Sequence, residues 1–589
     1  MLSTPRWVHV ASLSQLTPGK PKLVHAEAHD VVLTRGDEDV VYAIHNVCPH
    51  EGYPLVQGVV SGAVLTCAWH NFKFDLRDGR CVLGEEDVRA YAVQVLEGEV
   101  WIDIAEPDPE IVRGAQSRAL VLALREGRVG QALRAIGRGL LAGARPEQLL
   151  TVLAAYDGRV SEYGSTHVVA VAADLARLLP GAPGMGDPDP SGSIERPLTI
   201  LAQLVDTICM EHGRREARPV PDAVPWSQQT GLEALRAAVE AENRDAALGL
   251  LFGALAAGER RDTLEPALFE LCADHFTDFG HTLIYTEKVF DLLDLGGWAH
   301  AEGVLGGLVT MFVEGTREDL LPPWAGWRKR VAELSPRLPE LSGRALRGGP
   351  AWWDRVALIH QLLDGKPGEG ITTLVSALEE GVPVADLIDA LVLAASERLL
   401  RFDAALEHDP SIQHGWLDVT HLVTFAHAVR AAQARWDSPR ALVLLTQAAQ
   451  FIRMHKPLDL PPERRLRLVA QGGGVAAALD AMRRRQPEEA LGVVLGIGGD
   501  ELALDALERG MVELCLQDHA ARPIFAYHQL KLTLAAWEER RALQGDAAAM
   551  RPVLAAVRYL AAPLSERRLA GRVQDTLALL AGKVPKTLV

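Results

Sequence analysis

Apolar positions follow two different periods along the chain. From residue 7 to residue 104 they fall in short runs rich in Val, Ile, Tyr and Phe: VVLTRG, VVYAIHN, GAVLTCAW, FKFDLRDG, YAVQVLEG and EVWIDI. Branched and aromatic side chains pack well on a pleated surface, so these runs predict β-strands. Gly-Asp, Asp-Gly and Glu-Gly pairs separate them as tight turns. From about residue 111 the period becomes helical and stays so to the end, in sequence dominated by Ala, Leu and Arg. Pro107, Asp108 and Pro109 stand between the two patterns. Each proline pushes the residue before it out of the helical region, which predicts a stiff linker over 107–114. The expected fold class is multidomain: an all-β domain over 1–106, then a large all-α helical-repeat domain over 115–589.

The helical part repeats one plan four times. A short helix is expected at EQLLTVLAAYDG from Glu147, TLEPALFELCADHF from Thr263, VADLIDALVLAASER from Val384 and ALDALERGMVELCLQDHA from Ala503. After a connection of varied length, a longer helix begins near His167, His281, His421 or His528. The four units fall at roughly 115–230, 231–350, 351–468 and 469–589. Repeats of one plan usually stack to bury a continuous core. Four copies that each carry a histidine suggest packing around a centre, with the histidines pointing at it. The Pro/Gly-rich stretch over 180–193 is expected to be a loop.

Composition narrows the partners. The 589 residues are 48% apolar, 23% charged and 5% aromatic, a globular balance too long for a single core. The formal net charge of −17 argues against a nucleic-acid partner and would suit a basic redox partner. No uninterrupted apolar run reaches the ~18 residues of a membrane span, and MLSTPRWVHVASLSQL lacks the basic-then-apolar order of a secretory signal. Six cysteines do not make a disulfide framework. A reduced, cytoplasmic protein is expected.

Within the β pattern stand Cys48-Pro49-His50-Glu51-Gly52 and Cys67-Ala68-Trp69-His70, that is C-x-H, sixteen residues, C-x-x-H. Each pair sits on a turn between strands, so two loops would clamp one group. This arrangement resembles the Rieske [2Fe–2S] domain, in which two thiolates hold one iron and two imidazoles the other. The resemblance assigns Cys48, His50, Cys67 and His70 to the cluster. A Cys2His2 zinc site is the alternative, but zinc fingers place their histidines on a helix. Cys81 is read as a small buried residue. Where respiratory Rieske proteins carry a disulfide, this chain has Tyr53 and Trp69, and Asn71 and Phe72 follow the second histidine. The resemblance therefore implies a potential in the lower part of the Rieske range.

The four recurrent histidines offer neutral imidazole, a common ligand of iron, copper and zinc. His427 competes with His421, but six residues are about 600° of helix, so the two point in different directions. Tyr163-Gly164-Ser165-Thr166-His167, Phe279-Gly280-His281-Thr282-Leu283-Ile284, His421 to Arg430 and His528-Gln529-Leu530-Lys531 together resemble the questin oxidase-like family. These are helical oxygenases acting on aromatic polyketides. That resemblance implies a mononuclear iron held by His167, His281, His421 or His427, His528 and a modified Lys531, which lies one turn after His528.

The expected function is an iron-dependent oxygenase. A ferredoxin or an NAD(P)H-dependent ferredoxin reductase would feed the [2Fe–2S] cluster, and the cluster would feed the histidine-rich iron. Dioxygen activated there would oxidise a small organic substrate, aromatic or polycyclic. A homo-oligomer is expected where the linker sets the cluster far from its own helical centre. The alternative is a Rieske ferredoxin carrying a non-catalytic helical scaffold for docking.

Overall fold

The computed structural model describes residues 4–84, 86–179, 193–227, 229–345, 353–409, 412, 414–517, 522–564 and 573. Nearly all of the loop expected over 180–193 lies outside them. The chain divides into two compact units, one of Met1–Leu120 with Arg134–Gly143, the other of Val121–Leu133 with Ala144–Val589.

The first unit is built from eleven short strands among the described residues: β1 (Trp7–Ser12), β2 (Lys22–Ala26), β3 (His29–Arg35), β4 (Val41–His45), β5 (Val59–Ser61), β6 (Val64–Thr66), β7 (Lys73–Asp75), β8 (Cys81–Leu83), β9 (Ala90–Tyr91), β10 (Val93–Leu96) and β11 (Glu99–Asp103). They form three antiparallel sheets, ordered β1-β11-β10, β2-β3-β4-β9 and β5-β6-β7-β8. Two apolar cores result. Val31, Leu33, Ala43, Val100 and Ile102 fill one, and Val32, Ile44, Leu55, Leu65, Phe74 and Leu76 the other. Val31 and Leu33 face one core and Val32 the other, because successive strand residues point to opposite faces.

Helix Pro109–Arg125 begins inside the segment expected to be a linker. Pro109 sits at its first position, where a missing N–H costs nothing and the fixed φ suits the helix. The proline therefore starts the helix rather than delaying it.

The second unit is helical, so the fold class is the one the apolar periods predict. The four helices expected to be short are Pro146–Val160, Arg261–Asp274, Val384–Arg401 and Glu501–Leu516, and the first, at 15 residues, is longer rather than shorter than the 10-residue His167–Ala176 that follows it. The four histidine helices are His167–Ala176, His281–Gly296, Trp416–Arg435 and Pro523–Ala542. The last two begin several residues before their histidine, so His421 and His528 lie in the second turn. These four helices close a ring, each packed on the next and the fourth on the first. Every residue from Val168 to Ala176 is buried, as a helix at the middle of a helical domain must be. Helix Pro146–Val160 meets helix Ala301–Glu314 through glycines. A Cβ on Gly158 would lie 2.3 Å from the Gly303 carbonyl oxygen, so the backbones approach as no larger residue permits. No helix among the described residues is long and apolar enough to cross a membrane.

Candidate metal centres

In the first unit, two loops bring Cys48, His50, Cys67 and His70 together. The Cys48 N–H donates to Tyr53 O at 2.9 Å, and the Cys67 N–H to Phe72 O at 2.7 Å, so each loop is closed by its own backbone. Cys48 and Cys67 are buried within the second apolar core, while His50 is half-buried and His70 exposed. The imidazole rings meet at 4.8 Å. Phe72 stacks on His50 at 4.4 Å and Trp69 on His70 at 5.2 Å. His70 and Asn71 both take left-handed φ values, 63° and 62°, which turn the chain sharply after Trp69. Burial and the adjacent Cys67 push the Cys48 thiol up to about 11. A cluster iron bound there would favour its thiolate. Two inward thiols and two outward imidazoles on paired loops fit a [2Fe–2S] cluster.

Residues 6–95 match the family model described as the Rieske [2Fe-2S] domain. The N-terminal unit carries a Rieske domain. Over 112 residues the chain is 31% identical to 4beta-methylsterol monooxygenase of Methylococcus capsulatus, covering 17% of this chain and 30% of that protein. It is 27% identical over 101 residues to the anthranilate 1,2-dioxygenase ferredoxin subunit of Burkholderia cepacia, covering 17% of this chain and 92% of that subunit. A solved ferredoxin of carbazole 1,9a-dioxygenase from Nocardioides aromaticivorans is 36% identical, covers 17% of this chain and 98% of its own, and has a TM-score of 0.16. The chain thus spans about 30% of the length of the sterol monooxygenase it matches. The Rieske domain's relatives include oxygenases and the ferredoxins that serve them, and a Rieske domain implies a [2Fe–2S] cluster.

The second unit gathers the four repeat histidines. Ring centroids of His167 and His281 are 4.6 Å apart, His281 and His421 4.4 Å, His421 and His528 4.7 Å, and His528 and His167 4.6 Å. The His167–His421 distance is 6.2 Å. The rings stand at the corners of a square, in chain order. One nitrogen from each lies within 4.8 Å of the others.

Each histidine is placed by its own local device. Thr166 caps helix His167–Ala176 by accepting the Val168 N–H at 3.2 Å. Thr166 is itself held by Asp157, which accepts its N–H at 2.9 Å and its hydroxyl at 2.7 Å. Before His281 the chain passes through three left-handed residues, Asp278, Phe279 and Gly280, with φ of 46°, 55° and 81°. Two of these carry side chains, a strain of about 1–3 kcal/mol each. The Phe279 N–H is anchored on Glu318 at 2.8 Å, and the Phe279 ring, 38% exposed, stacks on His421 at 6.1 Å. Tyr285, one turn after His281, stacks on its ring at 5.1 Å. His528 Nδ1 donates to Ile524 O at 2.7 Å, which leaves the lone pair on Nε2.

The nitrogens within the square conflict unless a cation joins them. His421 Nε2 lies 2.7 Å from His281 Nε2 and 2.9 Å from His528 Nε2. A single proton on His421 Nε2 satisfies one of these contacts and leaves the other unmet. His167 Nε2 is buried with no hydrogen-bond partner. Burial above all holds the four histidines well below their ordinary range, so they are neutral and carry lone pairs. Two nitrogens at ~2.1 Å from one ion and at right angles to it stand ~3 Å apart, near the observed spacings. The residues fit a mononuclear ion bound through imidazole.

Lys531 and His427 separate cleanly. Lys531 is fully buried, and its amine has no hydrogen-bond partner. Burial and the adjacent Lys288 hold it well below the usual lysine range. Lys288 is itself paired with Asp174 at 2.5 Å, both buried. His427 is not brought to the square. It turns to the Pro523–Ala542 helix, with Nδ1 2.8 Å from Glu539 and Nε2 3.1 Å from Glu538. Burial lowers its pKa, but the two carboxylates outweigh burial and push it up to about 10. The six-residue offset from His421 explains the difference in direction.

A histidine with a raised folded pKa stabilises the fold fully below its unfolded value, and that contribution is lost as pH rises through the folded value. The advantage of wild type over His427→Gln in urea midpoint should therefore be full below pH 6.5 and shrink as the pH rises toward 10. A gap that widens with pH over this window would contradict the assignment.

The residues that sequence reasoning missed are Asp157, Asp174, Lys288, Tyr285 and Phe279. One signal was present. Asp174 and Lys288 each lie seven residues after their repeat histidine, two turns along the same helix face.

Proposed function

We propose that this chain is an oxygenase in which the Rieske cluster passes electrons to an iron held by His167, His281, His421 and His528. The observation that carries the reading is the square of four neutral imidazoles whose contacts no single arrangement of protons satisfies. When bound, a mononuclear iron there would supply dioxygen activation for oxidation of an organic substrate. The protein's own part is orientation and exclusion of water. Ile524 fixes the His528 tautomer, Tyr285 and Phe279 brace two of the rings, and burial keeps the site dry.

The similarity to questin oxidase-like proteins extends the reading to an aromatic or polycyclic substrate and to a carboxylated Lys531. Only a neutral amine can take up such a group, and burial keeps Lys531 neutral. Oxygenases and ferredoxins among the Rieske domain's relatives support electron supply by a ferredoxin or an NAD(P)H-dependent reductase. The electrons reach the helical unit of the same chain or, in a homo-oligomer, that of a neighbouring copy.

Iron quantification tests the proposal. Protein reconstituted anaerobically with ferrous iron should hold about three irons per chain, two in the cluster and one more. A count of two, with the cluster spectrum complete, would instead leave a Rieske ferredoxin joined to a docking scaffold.

A further inference from the structure

A second group of metal-ligating side chains lies where the His421 helix begins, outside the square. His414 precedes helix Trp416–Arg435, and Asp418 is in its first turn. His414 Nδ1 is 2.8 Å from Asp418 Oδ1, and Asp418 Oδ2 accepts the Gly415 N–H at 2.7 Å. By themselves these contacts describe a helix cap joined to a surface ion pair.

His455 is what a cap leaves unexplained. It follows helix Ala441–Met454 and is only 5% exposed. Its Nδ1 donates to Phe451 O at 2.9 Å, so the lone pair is on Nε2. That Nε2 is buried and has no hydrogen-bond partner. A buried acceptor left unpaired is costly, and native structures rarely keep one without a reason. One donor atom each from His414, Asp418 and His455 lies within 4.8 Å of the other two, and the two imidazole rings are 5.8 Å apart. Carboxylates crowd the neighbourhood: burial, with the charges of Asp278 and Asp418, pushes Glu318 up to about 8.

We propose that His414, Asp418 and His455 form a second site, for a divalent transition ion of the zinc or ferrous kind. Two imidazoles and one carboxylate are the donors such borderline ions prefer, whereas Mg²⁺ and Ca²⁺ favour oxygen throughout. The 2.8 Å between His414 Nδ1 and Asp418 Oδ1 is close to the ~3 Å that two donors on one ion span. The ion replaces the proton now shared by those two atoms, which leaves to solvent past the half-exposed His414. It also gives His455 Nε2 the partner it lacks. His421 lies three residues beyond Asp418, so this ion fastens the start of a helix that carries the square to the end of helix Ala441–Met454.

The test uses the full chain with its cluster intact, washed with a mild chelator and titrated with Zn²⁺. Zinc per chain is then counted after gel filtration and its affinity read by calorimetry. His414→Ala, a change at the exposed rim, should hold one zinc fewer than wild type or bind it at least ~100-fold more weakly. His455→Gln, which keeps much of the volume, should behave the same way. His281→Ala should lose a different zinc, and the double variant His281→Ala/His414→Ala should lose both. The two readings fail separately: if the square holds no metal, His281→Ala matches wild type while His414→Ala still loses one. Equal stoichiometry and affinity in wild type, His414→Ala and His455→Gln would overturn the second site.

Discussion

Replacing His421 with alanine should remove the non-cluster iron, taking the count from about three per chain to two, while the visible spectrum of the Rieske cluster stays complete. His421 is the largest lever because its Nε2 stands against two other corners of the square, 2.7 Å from His281 and 2.9 Å from His528. Losing an outer-shell partner of a metal ligand already costs 10–100-fold in affinity or activity. Losing a ligand shared between two neighbours should cost more than ~100-fold in both. The cluster should be unaffected because the four residues proposed to hold it belong to the other compact unit. A circular dichroism spectrum distinguishes lost metal from a lost fold, and His421→Gln repeats the test with less cavity. A His421→Ala protein that keeps the third iron and turns over substrate would refute the site.

The largest stability effect is expected at Asp157. It is fully buried and accepts three hydrogen bonds, from the Thr166 N–H, the Thr166 hydroxyl and His212 Nε2 at 2.8 Å. Asp157→Ala removes the acceptor and leaves the donors buried. Breaking a buried hydrogen-bonded charge in this way costs about 3–5 kcal/mol. The helical melting transition should fall by about 5 °C or more. Asp157→Asn, which keeps the shape and one oxygen, should cost less. Because Thr166 caps the helix that begins with His167, the alanine variant should also bind iron less tightly than its residual stability at the assay temperature explains. A melt unchanged within about 1 °C, the effect expected of a neutral surface change, would show that Asp157 does not anchor this corner.

Much of the architecture was legible along the chain because it depends on local periods. Strand runs of period two, the change to a helical period near residue 111 and the C-x-H and C-x-x-H loops all follow from neighbouring residues. The four histidines were legible for a related reason: each repeat writes the same plan, so a recurrent polar residue stands out against Leu and Ala. The start of the first helix was misread because proline both excludes helix before it and suits a helix's first turn. Only the position of Pro109 at that first turn decides between these effects.

What the sequence determined by itself, then, is the pair of domains, the four candidate cluster ligands and the candidate histidines. The tertiary structure decided which of those histidines meet. His421 and His427 share one helix, yet one faces the square and the other two carboxylates, because rotation along the helix becomes direction only once neighbours are packed around it. It also decided protonation: Lys531 and the four imidazoles are ordinary titrating groups in the sequence, and burial at the centre of the helical ring makes them neutral donors. The pairing of His455 with His414 and Asp418 belongs to the same class, since no spacing along the chain places an acceptor from one helix end beside another helix's first turn.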